Sequence, residues 1–498
     1  MLLNWIFSLN LSQNGRLYLT YLSIILIFIR EFSSLKTEFK KTAINPAQIF
    51  IGSFALIIIS GTLLLMLPNA THNGISFIDA LFTCTSAVCV TGLAVVDTGT
   101  YFTPFGQTLL VFLIQVGGLG ILTFTSYFSY YFKGESTYEN QLILKDITNT
   151  DKFTQIFTTL KRIILVTVAI EIIGALIIFW SIDDSVIPAK SERWFFAIFH
   201  SVSAFCNAGF STLKNNLYEI SVRFNYLLHL TVAFLIVIGG IGFPIVFNFL
   251  KYLKHILVNR FIPFILKQEA RHKPWVININ TRIVVITTAI LLIGGTGLFY
   301  IFEYSNTLAE HSGFGKVVTA FFSSVTPRTA GFNTVELPSL HIHSILLIFF
   351  LMWVGASPAS TGGGVKTSTL AISVLNFLSI ARGKNRIEIF RREISGESVK
   401  RSYAIISLSF LVLGLSIILV SYFDSHLNIR DIAFECFSAL GTVGLSLGIT
   451  SQLSTTSKFI IVFTMFVGRV GMLTVFVALI RKIKHLKYRY PTEEILIN

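Results

Sequence analysis

The sequence predicts an all-α polytopic membrane protein: four helix–pore-loop–helix repeats in a pseudo-fourfold arrangement around one pore, plus an extra N-terminal helix. Three observations predict it. The first is composition. Of 498 residues, 53% are hydrophobic and 13% charged, and mean hydropathy is +0.72. A soluble domain carries about 25% charged residues. Many apolar runs approach or exceed the roughly 20 residues that cross a bilayer as a helix. The alternating segments of a transmembrane barrel are absent. The second observation is a repeat. Phenylalanine and glycine recur ten residues apart at Phe82 and Gly92, Phe199 and Gly209, Phe321 and Gly331, and Phe434 and Gly444. The glycine spacings of 117, 122 and 113 residues mark an internal duplication. Three of the copies carry Ser-Ala before the glycine (Ser86-Ala87, Ser203-Ala204, Ser438-Ala439). The third observation is charge placement. Residues 249–282 and 381–401 hold seven Lys/Arg each and 481–489 hold five, whereas 68–76 and 333–343 hold none. That is the positive-inside pattern of a membrane protein, so the net charge of +14 does not point to nucleic acid.

The elements follow in chain order. Residues 1–16 carry one charge, Arg16, and 17–29 form an apolar run. With no basic n-region and no A-x-A-like site, the run reads as an uncleaved helix, not a signal peptide. Residues 1–45 then form an N-terminal helix and a cytoplasmic link. Repeat one, 46–133, offers a membrane helix at 49–67, a short apolar segment at 77–87 and a second membrane helix at 105–132. Repeat two, 134–257, offers 163–182, 194–205 and 226–252. Repeat three, 258–383, offers 283–302, 317–325 and 345–380. Repeat four, 384–498, offers 403–423, 432–440, 459–480 and a short tail. The middle segments run about 9–12 residues, too short to cross. They read as re-entrant helices. Short extracellular amphipathic helices are the alternative, and the glycine that ends each one favours re-entry. Asp79 and Asp431 start two of these helices, where a carboxylate caps the N-terminus favourably. The links at 133–162, 251–282 and 381–401 are polar and contain no soluble domain.

Irregular backbone at membrane depth is tolerated only where it is buried in protein or lines water. Four turns can surround one axis, and rings of backbone carbonyls can replace the hydration shell of a bare cation. Glycine tolerates φ > 0 and lets successive carbonyls point inward. The candidate turns are Val90-Thr91-Gly92, Asn207-Ala208-Gly209, Thr329-Ala330-Gly331 and Thr442-Val443-Gly444. Thr-Val-Gly in the fourth matches the start of the potassium-channel filter sequence. No Asp or Glu adjoins the four glycines, so a carboxylate ring is not the filter. Cys84, Cys89, Cys206 and Cys436 all fall in the repeated segments. A metal site and plain packing are the two readings. The lack of any CxxC pair favours packing.

Two features break the fourfold pattern. Residues 355–364 place Gly355, Pro358, Gly362, Gly363 and Gly364 inside one long apolar run. In a helix, glycine costs about 1 kcal/mol and proline about 3. The run reads as a helix broken mid-membrane, with a kink as the alternative. Ser357, Ser360 and Thr361 can satisfy the freed backbone groups. Lys366 follows and would bond the loop's carbonyls or reach the cytoplasm. Arg469 lies in the middle of 459–480, roughly 15 Å from the nearer end at helical rise. That is too far to snorkel, so it faces the interior or water. It either pairs with a carboxylate such as Glu435 or sets a positive barrier below the turns. Glu171 and His200 read as packed, hydrogen-bonded polar groups. Arg328 braces the third turn or faces the vestibule.

These motifs resemble the Trk/Ktr/HKT superfamily of cation transporters, and specifically the membrane subunit of bacterial potassium uptake systems. The resemblance covers 46–498. It rests on FIDALFTCTSAVCVTGL (77–93), QVGGLGILT (115–123), FHSVSAFCNAGFS (199–211), SVTPRTAGFNT (324–334), GASPASTGGGVKTST (355–369), SALGTVGLS (438–446) and GRVGMLT (468–474). It implies that the four turns form a selectivity filter. Glycine at all four is associated with potassium and serine at the first with sodium, so Gly92 implies potassium over the sodium or mixed-cation alternative. It further implies that the loop gates the pore and that Arg469 is the pore arginine. A homodimer in a bacterial cytoplasmic (inner) membrane follows, with a separate cytoplasmic nucleotide-binding regulatory subunit on the basic inner face. Ala359 stands where a glycine is common and Met472 where a proline is common.

The chain has no Walker A or Rossmann glycine motif. Clustered Ser/His/Asp and paired carboxylates are also missing. The sequence therefore predicts no enzyme and no cofactor other than the transported ion. A secondary transporter built on broken helices is disfavoured by the fourfold pattern.

Overall fold

The computed structural model describes residues 46–131, 156–252 and 277–479. The expected N-terminal helix at 17–29, most of the links at 133–162 and 251–282, and the tail from 481 lie outside the described residues.

Each repeat places helices on its three expected segments, and in repeats two, three and four the last segment is divided in two. Repeat one has α1 (Pro46–Leu65), pore helix α2 (Phe77–Val88) and α3 (Pro104–Tyr131). Repeat two has α4 (Ile156–Ser181), pore helix α5 (Lys190–Phe205), and the pair α6 (Tyr226–Ile241) and α7 (Phe243–Tyr252). Repeat three has α8 (Ile279–Glu303), pore helix α9 (Phe314–Val325), α10 (Ile342–Trp353) and α11 (Thr367–Ala381). Repeat four has α12 (Gly396–Phe423), pore helix α13 (Ile429–Gly441), α14 (Thr455–Val470) and α15 (Met472–Leu479). A two-residue β-ladder, β1 (Glu388–Ile389) against β2 (Arg392–Glu393), turns the link between repeats three and four.

The outer helices are apolar on the face that packs against nothing. Leu63 of α1, Leu165 of α4, Ile293 of α8 and Ile418 of α12 are all exposed. Exposed apolar surface on this scale marks a membrane face rather than a solvated one. The pore helices are the reverse. Phe82, Phe199, Phe322 and Phe434 are fully buried. Short helices sheathed by long ones can place irregular backbone at depth without exposing it to lipid.

Two spans read as single membrane helices are bent. The run 226–252 turns by 99° between α6 and α7, and the run 459–480 turns by 97° between α14 and α15. Gly242 and Gly471 sit at the bends, each with φ of 95°. A residue with a Cβ rarely adopts that conformation. The run 345–380 breaks completely: α10 ends at Trp353, α11 starts at Thr367, and a loop fills the gap. The third helix of repeat one, α3, continues unbroken to Tyr131.

The expected carboxylate caps are displaced by one element of the motif. Ser76 is the N-cap of α2, and its Oγ accepts from the Asp79 N–H at 3.2 Å and donates to Asp79 Oδ2 at 2.7 Å. Asp79 is therefore the reciprocal partner within the first turn. Asp431 likewise follows the cap residue Asn428.

Candidate functional site

Each pore helix ends by entering a turn of the same handedness. The first turn residues, Val90, Asn207, Thr329 and Thr442, have φ of 55°, 62°, 75° and 49°. The glycines two residues on, Gly92, Gly209, Gly331 and Gly444, have φ of 94°, 70°, 79° and 93°. For β-branched Val90, Thr329 and Thr442 the left-handed region is strained, so the surrounding structure must hold them there.

Hydroxyls at the pore-helix ends supply the straps. The Gly92 N–H donates to Ser86 Oγ and the Gly444 N–H to Ser438 Oγ, each at 3.0 Å. In repeat two Ser203 Oγ donates to Phe210 O at 2.8 Å. Repeat three lacks the Ser-Ala pair, and Thr326 Oγ1 donates to Phe332 O instead. The mid-turn amides of Thr91, Ala208 and Val443 bond back to Ser86 O, Ser203 O and Ser438 O at 2.7, 2.7 and 2.8 Å.

The four turns close into one ring. A methyl group placed on Gly92 would lie 2.5 Å from Ala208 O, and one on Gly209 would lie 2.5 Å from Ala330 O. Gly331 meets Val443 O and Gly444 meets Thr91 O just as closely. Each glycine thus abuts the mid-turn carbonyl of the next repeat, and the fourth returns to the first. The four pore helices direct their C-termini at this ring and carry no basic residue in the last turn. The negative ends of their dipoles therefore converge on it. A chamber of about 550 Å³ opens above, lined by Gly92, Gly331 and Gly444 together with Asp97, Lys214 and Glu336.

The loop between α10 and α11 lies against the other side of the ring. The Gly363 N–H donates to Thr442 Oγ1 at 3.0 Å. Thr361 Oγ1 donates to Phe205 O at 3.3 Å. Gly362 packs so closely on Thr329 Oγ1 that no side chain would fit. Within the loop, Ser360 Oγ donates to Ser357 O at 2.6 Å, and Lys366 Nζ donates to Gly362 O at 2.7 Å. Lys366 therefore bonds the loop's carbonyls. The bend in α6 grips the far side of the loop: Ser357 N donates to Gly240 O at 3.0 Å and Phe243 N to Ala359 O at 3.2 Å.

Arg469 is 3% exposed, in the last turn of α14. It does not pair with Glu435, which accepts from Ser446 and Thr450 instead. Its guanidinium donates to Thr361 O in the loop and, at 2.6 Å, to Gly117 O in α3. One arginine thus ties repeats one, three and four together beneath the ring. His200 and Glu171 are hydrogen-bonded, to Ser211 Oγ at 2.9 Å and by Gln115 Nε2 at 3.2 Å. All four cysteines are buried and free.

The structure therefore gathers all twelve turn residues into the ring and Gly355–Gly364, Lys366 and Arg469 beneath it. Sequence reasoning missed the glycines that shape the inner helices. Gly117, Gly239 and Gly468 each press on the last pore-helix carbonyls, Val88 O, Phe205 O and Leu440 O, with no space for a Cβ. The signal was present as a second recurrence: VGGLG, IGGIG and VGRVG at 116–120, 238–242 and 467–471.

A buried ring of backbone turns inside a sheath of apolar helices defines a polytopic membrane protein of the pore-loop class. The family model for TrkH, a cation transport protein, matches residues 19–488, and the chain belongs to that family. It is 36% identical over 455 residues to the Ktr system potassium uptake protein B of Bacillus subtilis, covering 91% of this chain and 96% of that protein. It is 34% identical over 466 residues to the potassium/sodium uptake protein NtpJ of Enterococcus hirae, covering 91% and 97%. The crystal structure of the potassium transporter TrkH from Vibrio parahaemolyticus superposes with a TM-score of 0.69 at 18% identity, over 93% of this chain and 91% of that one. That match concerns the fold. The family consists of transporters, not enzymes.

Proposed function

We propose that this chain carries potassium inward through the ring, with backbone carbonyls as the selectivity filter and the loop at 355–364 with Arg469 as the gate. The observation that carries this reading is the closed ring of four glycine turns, each against the next repeat's carbonyl. Neutral carbonyls suit a monovalent cation that sheds its water, and the converging helix dipoles favour positive charge there. The loop and Arg469 obstruct the exit on the far side. Opening requires the loop to leave Thr442 and Thr361 to leave Arg469. The membrane potential supplies the drive, about 2.3 kcal/mol per charge per 100 mV. The name of the Ktr relative from B. subtilis supports potassium. We place the protein as a homodimer in a bacterial cytoplasmic membrane, with a cytoplasmic nucleotide-binding regulatory subunit on the basic links.

The name of the E. hirae relative favours a second reading, a transporter of sodium as well as potassium. Rubidium uptake into liposomes separates the two. The potassium reading expects rubidium uptake that excess potassium blocks and excess sodium does not, and loss of that discrimination in Gly92→Ser. Equal competition by sodium in the parent would establish the second reading instead.

A further inference from the structure

Arg328 immediately precedes the third turn. It is 7% exposed, and among the described residues its guanidinium has no hydrogen bond and no ion pair; Nε is buried without a partner. It lines a small chamber between repeats two and three, with about 10 Å³ of room for the centre of a water-sized sphere. Ile236 and Ile241 of α6, Thr288 and Leu292 of α8, Val325 and Ala356 wall it. Thr288 and Arg328 supply the polar side chains of this lining, and Thr288 Oγ1 is also buried without a partner.

An unpaired charge in an apolar chamber is costly, and interior charges are ordinarily paired. A guanidinium offers donors only, and a threonine hydroxyl can turn its proton toward the same point. The lining thus contains a cationic donor, a hydroxyl and no carboxylate. A water molecule would accept these bonds, but water and the negative end of the α9 dipole, about half an elementary charge, offset only part of the guanidinium's charge. The volume holds about one water-sized body, which excludes a phosphate or a lipid headgroup. We propose that Arg328 and Thr288 hold a single halide-sized anion, chloride in the cell, behind the third turn. The anion cancels a fixed positive charge next to the route assigned to cations. The site itself stands on the chamber, whatever the turns select.

The test uses the purified full-length protein crystallised in sodium bromide, read by bromide anomalous scattering. A peak between Arg328 and Thr288 is expected in the parent, absent in Arg328→Met and weakened in Thr288→Val. Thermal unfolding in detergent gives an independent readout. Chloride in place of gluconate should raise the parent's midpoint by several degrees and leave Arg328→Met unmoved. No peak in the parent, or an equal chloride shift in both proteins, overturns the proposal. A bromide peak in a protein that takes up no rubidium would keep the anion site and sink the potassium reading; rubidium uptake without the peak would do the reverse.

Discussion

Lys458 Nζ lies 2.7 Å from Asp79 Oδ1, a bond between residues 379 apart in sequence. It ties the start of α14 in the last repeat to the start of pore helix α2 in the first. The side chains are 12% and 22% exposed. No short peptide link joins these two repeats, so this contact supports the seam where Gly444 meets Thr91. Losing one partner of a buried pair costs about 3–5 kcal/mol, and less where water reaches. Lys458→Met and Asp79→Asn should each lower the thermal midpoint in detergent by several degrees. The double variant should lose clearly less than the two losses added. Simple additivity would show that the pair does not couple.

Gly92 and Gly444 are constrained twice, by φ above 90° and by a neighbouring carbonyl where a Cβ would go. Gly92→Ala must push Ala208 O away, and Gly444→Ala must push Thr91 O. Both displacements fall on atoms assigned to ion coordination. Rubidium uptake should drop at least about tenfold, which corresponds to only about 1.4 kcal/mol at the barrier. Gly414, in α12 with open space around it, is the control: Gly414→Ala should leave uptake unchanged. Parent-level uptake in Gly92→Ala would remove the ring from the transport route.

Arg469 binds the loop through Thr361 O and α3 through Gly117 O. Hydrogen bonds to charged groups are worth about 1.5–3 kcal/mol each. Arg469→Gln weakens both and removes the charge below the ring. Unstimulated rubidium uptake should rise several-fold over the parent at the same protein density. Unchanged or lower uptake would mean the arginine does not hold the closed state.

The contrast between what the residues announced and what they hid has a physical basis. The ring was legible because a left-handed turn demands glycine, and that demand recurs at 92, 209, 331 and 444. The break at 355–364 was legible because glycine and proline accumulate there. The bends at Gly242 and Gly471 were not, since hydropathy scores side chains and ignores φ, and both glycines sit in apolar runs. The partners of Arg469 were hidden for a different reason. Every residue carries a carbonyl, so Gly117 O and Thr361 O leave no mark in the sequence, whereas Glu435 does, and it stood as the one alternative partner that the structure rules out. In repeat three the Ser-Ala signature is absent, yet Thr326 performs the strap one position later, a substitution of geometry that pairwise offsets do not register.

The motif resemblance implies a glycine where Ala359 stands and a proline where Met472 stands, and at both positions the backbone geometry gives that difference an energetic meaning. Ala359 has φ of 54°, and a left-handed conformation costs an L-residue with a Cβ roughly 1–2 kcal/mol. Its carbonyl accepts from Phe243 N at the α6 bend, so the strained residue is also an anchor of the loop. Ala359→Gly removes the strain in the docked loop. It should raise the thermal midpoint by a few degrees and lower unstimulated rubidium uptake, because the relief belongs to the closed state. Met472 is the first residue of α15, directly after Gly471. Proline is favoured at that position, where its fixed φ suits the helix and its missing N–H is not needed. Met472→Pro should therefore keep the fold and at least parent-level stability, whereas Val467→Pro, inside α14, should lose about 3 kcal/mol or more. If Met472→Pro unfolds as readily as Val467→Pro, α15 does not begin at Met472 and the bend at Gly471 is misplaced.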